Sequence, residues 1–503
     1  TQFTSLHRRR LCPPSSRSPI SGLPRDTMGP PSAAAAALGS CGADAGAGED
    51  MESSRRLLDC VLGALAALGV SAVAAVSLDL PRHLQLSLAA NLGLASLGFV
   101  VTTATIESTG AMFIAARLRG IDLNKRTTKR DANGALVRPV QGVEIPESMG
   151  TIAATVFILV MSVFIPFAFA VYGRHSFPHA DLAEYLAAVL TITFAAFMGF
   201  ADDVLDLRWR HKIPLPFLAT LPLLLVYYAN GNETGVMVPT QLRGLLGDYV
   251  ELGLFFYLFL LILAVFSTHA INIYAGVNGL EVGQSVVIGT SALILNVVQL
   301  HRTPTQHTEY REQHLQSLFL LIPFLAVSLA LLRLNWFPSR VFVGDTYCYF
   351  AGMTFAAVCM VGHYSKTMVL FMLPQFINFV YSCPQLFKFM GIPNPRHRMP
   401  SYDVDRGWVE NSYTEVRLAE LKAVGKVVFW LLRTFRLAHV LPPDADGVVK
   451  VSNLTLINFV LFVMGPCRED VLCLRLLLLQ VFCSCMCFAV RFGLASYLFE
   501  TVL

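Results

Sequence analysis

Apolar runs of 16 to 22 residues recur down this chain, ten of them, beginning near residues 86, 151, 183, 214, 250, 284, 316, 347, 367 and 476. A helix rises 1.5 Å per residue, so about 20 apolar residues cross the ~30 Å hydrocarbon layer of a bilayer, with every interior backbone group bonded inside the helix. The expected fold is therefore an all-α polytopic membrane protein of about ten transmembrane helices. A soluble enzyme is excluded: 54% of the residues are hydrophobic and only 14% are charged, against about 25% charged in globular chains.

An eleventh run, Leu57–Val76, precedes the ten. It follows Arg55-Arg56 and carries the small residues Ala72, Ala74 and Ala75, so a cleavable signal peptide and an extra span are both open readings. Residues 1–83 as a whole are expected to be a low-complexity extension, with Arg8-Arg9-Arg10 and Pro-, Ser- and Ala-rich stretches. Then follow nine spans over 84–382, a polar stretch over 383–475 read as a small subdomain, and the last span over 476–503. Most of the eleven cysteines lie inside apolar runs and read as small buried hydrophobes. Cys483, Cys485 and Cys487 make no metal site, because on a helix the middle one points away from the other two.

Lys and Arg are distributed unequally between alternate connections. One side carries 24, in 106–150, 201–213, 332–346 and 383–475, while the other carries 6. The rich side is expected to be cytoplasmic. Asn232-Glu-Thr, an N-glycosylation acceptor, falls on the opposite, lumenal side; Asn453-Leu-Thr falls on the cytoplasmic side and is expected to stay unmodified. A net charge of +4 with no basic stripe excludes a nucleic-acid binder.

The unusual polar residues collect at the same ends of the spans. Asp202 and Asp203 stand in FADDVLDLRWRHK, which Lys212 closes; Asn272, Gly276 and Asn278 stand in NIYAGVNGLEVGQS; Asp345 stands in FVGDTYCYF; Arg396, His397 and Arg398 stand in NPRHRMP. Carboxylate and amide oxygens without a Cys or His cluster suit a hard ion such as Mg²⁺, which binds few protein ligands and leaves room for phosphates. Lys and Arg bind phosphate, and phosphoryl transfer is catalysed mainly by positioning and charge neutralisation. A membrane-face phosphotransferase acting on a lipid is the natural reading, and the absence of a glycine-rich phosphate loop argues against ATP as donor.

Taken in order with FIAARLRGIDLNK and IPES, these motifs resemble the polyprenyl-phosphate sugar-1-phosphate transferases, and within them the eukaryotic enzymes that act on UDP-GlcNAc and dolichyl phosphate. The resemblance covers roughly residues 84 to 503. It implies transfer of GlcNAc-1-phosphate to dolichyl phosphate in the endoplasmic reticulum membrane, with the site facing the cytosol, and inhibition by tunicamycin. It implies that Asn272 and Asp345 hold Mg²⁺, that Lys212 and Arg396 contact phosphate, and that Arg398 binds the sugar beside His397. Phe342 would stack on uracil opposite Gly276 and Asn278, with Leu123 and Glu147 lining the nucleoside pocket and Trp209 among the substrate-binding residues. Asp202 and Asp203 match an acidic pair that either deprotonates or orients the lipid phosphate. A homodimer is compatible with the resemblance. Two residues depart from the pattern: Ile121 stands where the family has Gln, and His269 replaces an Asn. The loop from Arg126 to Glu144 is longer than usual and reads as a surface insertion.

Simpler readings accompany these. Asp202-Asp203 could end a helix, Asp345 could cap one, Phe342 could be packing, Asn278 could cap a turn, and Arg396 and Arg398 could anchor lipid headgroups. The stretch from Glu415 to Val440 is amphipathic and is expected to contribute a helix lying on the membrane surface. A nucleotide-sugar transporter is the rival function, but transporters place their site near the bilayer midplane, often between repeated halves; these polar residues gather at one face and the chain shows no repeat.

Overall fold

The computed structural model describes residues 43–78, 80–123, 128–129, 140–169, 177–232, 234–303, 308–387, 392–393, 399–444 and 447–499. Arg396, His397 and Arg398 lie outside the described residues, as do 130–139 of the long loop. The helices are α1 (Ala43–Ser77), α2 (Arg82–Ala115), α3 (Gly150–Phe169), α4 (His179–Leu205), the single turn α5 (Trp209–Lys212), α6 (Pro214–Ala229), the single turn α7 (Arg243–Leu246), α8 (Leu254–Ile273), α9 (Leu280–Arg302), α10 (Thr308–Asn335), α11 (Gly344–Val361), α12 (Ser365–Phe371), α13 (Leu373–Leu386), α14 (Ala423–Thr434), α15 (Leu456–Met464), α16 (Glu469–Ala489) and α17 (Ala495–Leu498). Four two-stranded antiparallel hairpins decorate the connections: β1 (Arg119–Ile121) with β2 (Glu144–Pro146), β3 (Gly235–Met237) with β4 (Tyr249–Glu251), β5 (Ser401–Asp403) with β6 (Trp408–Glu410), and β7 (Tyr413–Arg417) with β8 (Val448–Ser452).

Among the described residues nine helices are long and apolar enough to cross a bilayer, and the bent pair α12–α13 makes a tenth if counted as one span. The nine include α1 from Glu52 onward, which lies against α9, α2 and α10. They do not include α11, the expected eighth run. Its place in the molecule explains why: every residue of α11 is buried, among α3, α4, α8 and α10. A helix sheathed by other helices meets little lipid and can carry Asp345, Thr346, Tyr347, Tyr349 and Thr354.

Lipid offers helices no hydrophobic reason to associate, so close approach through small residues does more of the work. Three glycines bring neighbours against α11. A Cβ on Gly199 would sit 2.7 Å from the Thr346 Cα, one on Gly150 2.6 Å from the Tyr347 backbone nitrogen, and one on Gly352 2.4 Å from the Thr268 Cα. Those glycines draw α4, α3 and α8 onto the central helix.

The break between α12 and α13 bends by 65° at Met372. Pro374, at the start of α13, supplies the cause, since its ring removes a donor and obstructs the preceding turn. The Phe371 carbonyl accepts a hydrogen bond from Gln480 Nε2 on α16 at 2.8 Å. Gln375 then donates to Gln480 Oε1 and to Gln284 Oε1, both at 2.7 Å, joining α13, α16 and α9 in the buried interior.

Five connections meet at one face of the bundle: 116–149, 206–213, 274–279, 336–343 and 387–468. These are the lysine- and arginine-rich connections together with the uncharged turn between α8 and α9. The last of them builds a small core of its own from Ile392, Val416, Leu421, Phe429, Leu432, Val449 and Leu454.

Candidate active site

The site grows from four chain segments that arrive at this face. Helix α4 ends as Asp206 adopts a left-handed conformation (φ 49°), and the reversing chain delivers Lys212 back over the Asp202 carboxylate. Lys212 Nζ stands 2.8 Å from Asp202 Oδ2 and 2.9 Å from Asp345 Oδ2. Asn272, in the last turn of α8, donates through Nδ2 to Asp345 Oδ1. One carboxylate thus meets both the ammonium and the amide singled out in the sequence. The three groups come from segments 60 or more residues apart and are almost wholly shielded, the Lys212 side chain being 16% exposed and that of Asp345 1%.

The adjacent carboxylates have divided employment. Asp203 Oδ1 accepts from the Asp345 backbone N–H at 2.6 Å, and Oδ2 accepts from the Thr346 N–H at 3.2 Å and the Thr346 hydroxyl at 2.6 Å. These are among the first N–H groups of α11, which no intrahelical carbonyl can reach. Asp203 therefore caps α11 from another helix. Gly344, with φ 75°, lets the chain enter the helix here; a Cβ there would lie 2.3 Å from Asp203 Oδ2. Asp202 faces the other way, toward Lys212, while its Oδ1 accepts from the Leu207 N–H at 3.1 Å.

A second pocket adjoins the first. Glu147, Asn278 and Phe342 line one small cavity with Val277, Glu281, Asn335 and Gly344. The β1–β2 hairpin holds its wall: Phe342 N–H donates to the Pro146 carbonyl at 2.8 Å, and Met149 N–H to the Phe342 carbonyl at 3.0 Å. Gly120 lies directly against the Phe342 ring, where a Cβ would come within 2.8 Å. Asn278 Nδ2 donates to Asp122 Oδ2 at 2.7 Å and its backbone N–H to Glu469 Oε1 at 2.8 Å. Gly276 N–H donates to Glu281 Oε1 at 3.3 Å, and Gly279 N–H to Asn335 Oδ1 at 3.1 Å. Gly276, at φ 121°, closes on Met399, the residue directly after Arg398. Tyr274 is fully buried in this turn, and burial pushes its phenol up; its carbonyl accepts from Gln284 at 2.9 Å.

The structure thus brings Asp202, Asp203, Lys212, Asn272 and Asp345 into one cluster and Glu147, Asn278 and Phe342 into one cavity beside it. Leu123 does not line that cavity; it follows Asp122 at the end of β1. Trp209 is 47% exposed, and its ring lies 5.9 Å from that of His269, whose other neighbour is Tyr349 at 5.6 Å. His269 is accordingly held between aromatic rings. Asp122, Glu281, Asn335, Glu469 and Thr346 belong to the site and were not singled out in the sequence. Three of them, Asp122, Glu281 and Thr346, lie inside quoted motifs; for the first two, an acid among apolar residues at a span end was the available signal.

Among the described residues no three His, Cys, Asp or Glu side chains are grouped so as to cage a metal ion. The Asp345 carboxylate and the Asn272 amide instead offer a sparse, hard-oxygen donor set. That set fits Mg²⁺, which takes one or two carboxylates and completes its shell with water and substrate phosphates.

Comparison with known proteins identifies the family. Residues 185–363 match the model of glycosyl transferase family 4. The chain is 41% identical over 419 residues to the UDP-N-acetylglucosamine–dolichyl-phosphate N-acetylglucosaminephosphotransferase of Saccharomyces cerevisiae, covering 79% of this chain and 89% of that one. The proteins of the same name from Schizosaccharomyces pombe and Dictyostelium discoideum are 39% and 40% identical, covering 79% and 78% of this chain and 90% and 86% of theirs. With the acidic and amide residues gathered at one end of a helical bundle and these relatives matched over most of their length, the chain belongs to the UDP-N-acetylglucosamine–dolichyl-phosphate N-acetylglucosaminephosphotransferases of glycosyl transferase family 4.

Proposed function

We propose that the Lys212–Asp345 cluster is where GlcNAc-1-phosphate passes from UDP-GlcNAc to dolichyl phosphate, giving GlcNAc-PP-dolichol and UMP, the first step of lipid-linked oligosaccharide synthesis for protein N-glycosylation. The observation that carries the reading is the convergence on Asp345 of Lys212 and Asn272. An oxygen of the lipid phosphate attacks the β-phosphorus of UDP-GlcNAc, a new P–O bond closes the pyrophosphate, and the bond to UMP breaks with its electrons staying on the departing phosphate. Charge accumulates on oxygens throughout, so the site's task is to position and neutralise.

Asp345 and Asn272 would hold Mg²⁺, which supplies neutralising charge on the pyrophosphate when bound. Lys212 places a fixed cation beside that charge, and Asp202 keeps its ammonium in place. A phosphate monoester has its second pKa near about 6 and is mostly dianionic at neutral pH, so the attacking oxygen needs no base. That favours the orienting role for Asp202 and makes Asp203 a positioning residue that holds Asp345 at the head of α11. Glu147, Asn278 and Phe342 form the cavity proposed for the nucleoside, with Gly276 and Leu123 at its edges and Trp209 bordering the lipid-facing approach. Arg396, His397 and Arg398, just before Met399, are proposed to reach the phosphate and sugar. The face carrying the site is proposed to be cytosolic, a reading its excess of Lys and Arg supports, and the membrane to be that of the endoplasmic reticulum.

The test is release of UMP by the purified protein. It is expected only with both UDP-GlcNAc and dolichyl phosphate present, and to be lost on chelation of Mg²⁺ and restored by its return. Asp345→Ala is expected to lower kcat by about 10²–10³ or more with the thermal transition of the protein retained. Full turnover by that variant would overturn the assignment. Uptake of UDP-GlcNAc into proteoliposomes lacking a lipid acceptor would favour a transporter instead.

A further inference from the structure

Helix α14 carries two apolar stripes, and among the described residues only one of them is covered. Gly425, Phe429 and Leu432 are buried, with Phe429 and Leu432 in the small core beneath β7 and β8. Val424, Val427, Leu431 and Phe435 recur at three- and four-residue spacing and form a second stripe, roughly a third of a turn away at 100° per residue. That stripe is open: Val424 and Val427 are each 57% exposed and Phe435 64%. Trp430, also 58% exposed, stands at its border, and beyond it come the exposed cations Lys426 and Arg433. Lys422 and Arg436 flank the helix ends, and no acidic residue occurs between 422 and 436.

The height of this helix is set by a separate contact. Arg436 adopts a left-handed conformation (φ 51°) that ends α14, and Leu437 N–H turns back to the Leu432 carbonyl at 2.9 Å. The Leu437 carbonyl then accepts from the Tyr381 hydroxyl at 2.6 Å. Tyr381 lies on α13 about 8 Å before that helix ends, in the bent pair counted as the tenth span, where the apolar Phe376, Ile377 and Val380 are exposed. The C-terminal end of α14 is therefore pinned level with the last turns of a membrane span.

We infer that α14 lies in the plane of the bilayer, with Val424, Val427, Leu431 and Phe435 sunk into the boundary between acyl chains and headgroups. Its partner is a lipid surface bearing anionic headgroups, chosen by the single-sign charge of Lys422, Lys426, Arg433 and Arg436. Trp430 sits at the headgroup level, where its ring is part apolar and part polar. The inference rests on the placement of α14 alone and holds whatever the site catalyses.

Trp430 supplies its own probe. The full chain is placed in nanodiscs whose lipids carry bromine either high on the acyl chain or near the terminal methyl, and tryptophan emission is compared between the wild type and Trp430→Phe. The emission that Trp430→Phe lacks is expected to be largely lost with shallow bromine and little changed with deep bromine. Anionic brominated lipid should quench it more than zwitterionic lipid, and the double variant Lys426→Glu/Arg433→Glu should remove that preference. Val427→Asp, an exposed substitution that leaves the buried stripe intact, should weaken the quenching. The inference fails if Trp430 emission ignores bromine at both depths. It also fails if quenching emerges only when discs hold a single copy, because a second protein then covers the stripe.

Discussion

Asp202 and Asp203 show how differently two identical neighbours are used. Asp203 spends both oxygens on the first N–H groups of α11 and on the Thr346 hydroxyl. Asp203→Ala is therefore expected to cost about 2 kcal/mol in thermal unfolding experiments, the scale of a lost cap with buried donors left unpaired, and to lower kcat in parallel because Asp345 shifts with the helix head. Asp203→Asn, which keeps one acceptor, should recover part of both. An Asn variant of unchanged stability and no turnover would instead assign Asp203 to the chemistry. The charged and amide members of the cluster were legible in sequence because each sits at the end of an apolar run, where such residues are expensive unless used. Their division of labour was not, because it depends on which backbone lies within 3 Å. Asp122 and Glu469 were hidden for a related reason: each gains meaning only by reaching Asn278, a residue 156 or 191 positions away.

Helices bring those residues together, and here the decisive feature is close approach through glycine. Gly352→Val would drive a side chain into the Thr268 backbone, which cannot swing aside as a flexible side chain can. It is expected to cost about 3 kcal/mol or more, measured as a lowered unfolding temperature and reduced recovery of monodisperse protein; Gly93→Val, which meets nothing within 4 Å, is the control. The joint at Met372 makes a second prediction. Gln375→Leu leaves the Gln284 and Gln480 oxygens without their donor, and a loss of about 1–3 kcal/mol is expected. Because Gln284 also holds the Tyr274 carbonyl, two residues after Asn272, kcat should fall; Gln375→Asn, which keeps an amide donor, should restore what its shorter reach permits, whereas Gln375→Glu, whose carboxylate only accepts, should not. Apolar length revealed most of these helices. It gave the weakest account of α11, which surrounding helices shield from lipid, and it read α12 and α13 as one run because only Pro374 marked the bend.

At the scale of the molecule, the site face and the opposite face differ in charge, and the proposed orientation predicts that they differ in modification. The two glycosylation acceptors test this. Asn232 lies in the connection after α6, away from the site, whereas Asn453 is 1% exposed and bonded to Gln385, Thr414 and Ser412. Expressed in cells that glycosylate, Asn232→Gln is expected to raise gel mobility by the loss of one glycan. Asn453→Gln should leave mobility unchanged and lower stability instead. A glycan on Asn453 would reverse the proposed orientation. The grouping of the Lys- and Arg-rich connections at one end of the spans was legible in the sequence. The long connection from 387 to 468 was not, because its short hairpins have too few residues to show a pattern and its core joins residues such as Ile392 and Leu454.

The bond from Asn278 to Glu469 also has a consequence for biosynthesis. A ribosome delivers α4, α8 and α11 to the membrane well before it makes Met399 and α16, yet the turn between Asn272 and Asn278 is closed by both of those late segments. The nascent chain can therefore carry its cluster of carboxylates and every side chain that lines the adjoining cavity before the two late segments that hold the turn have been made. A chain ending before α16 thus possesses both sets of residues but leaves the Asn278 N–H without Glu469, so the last helix acts as a late clasp on a turn made 191 residues earlier.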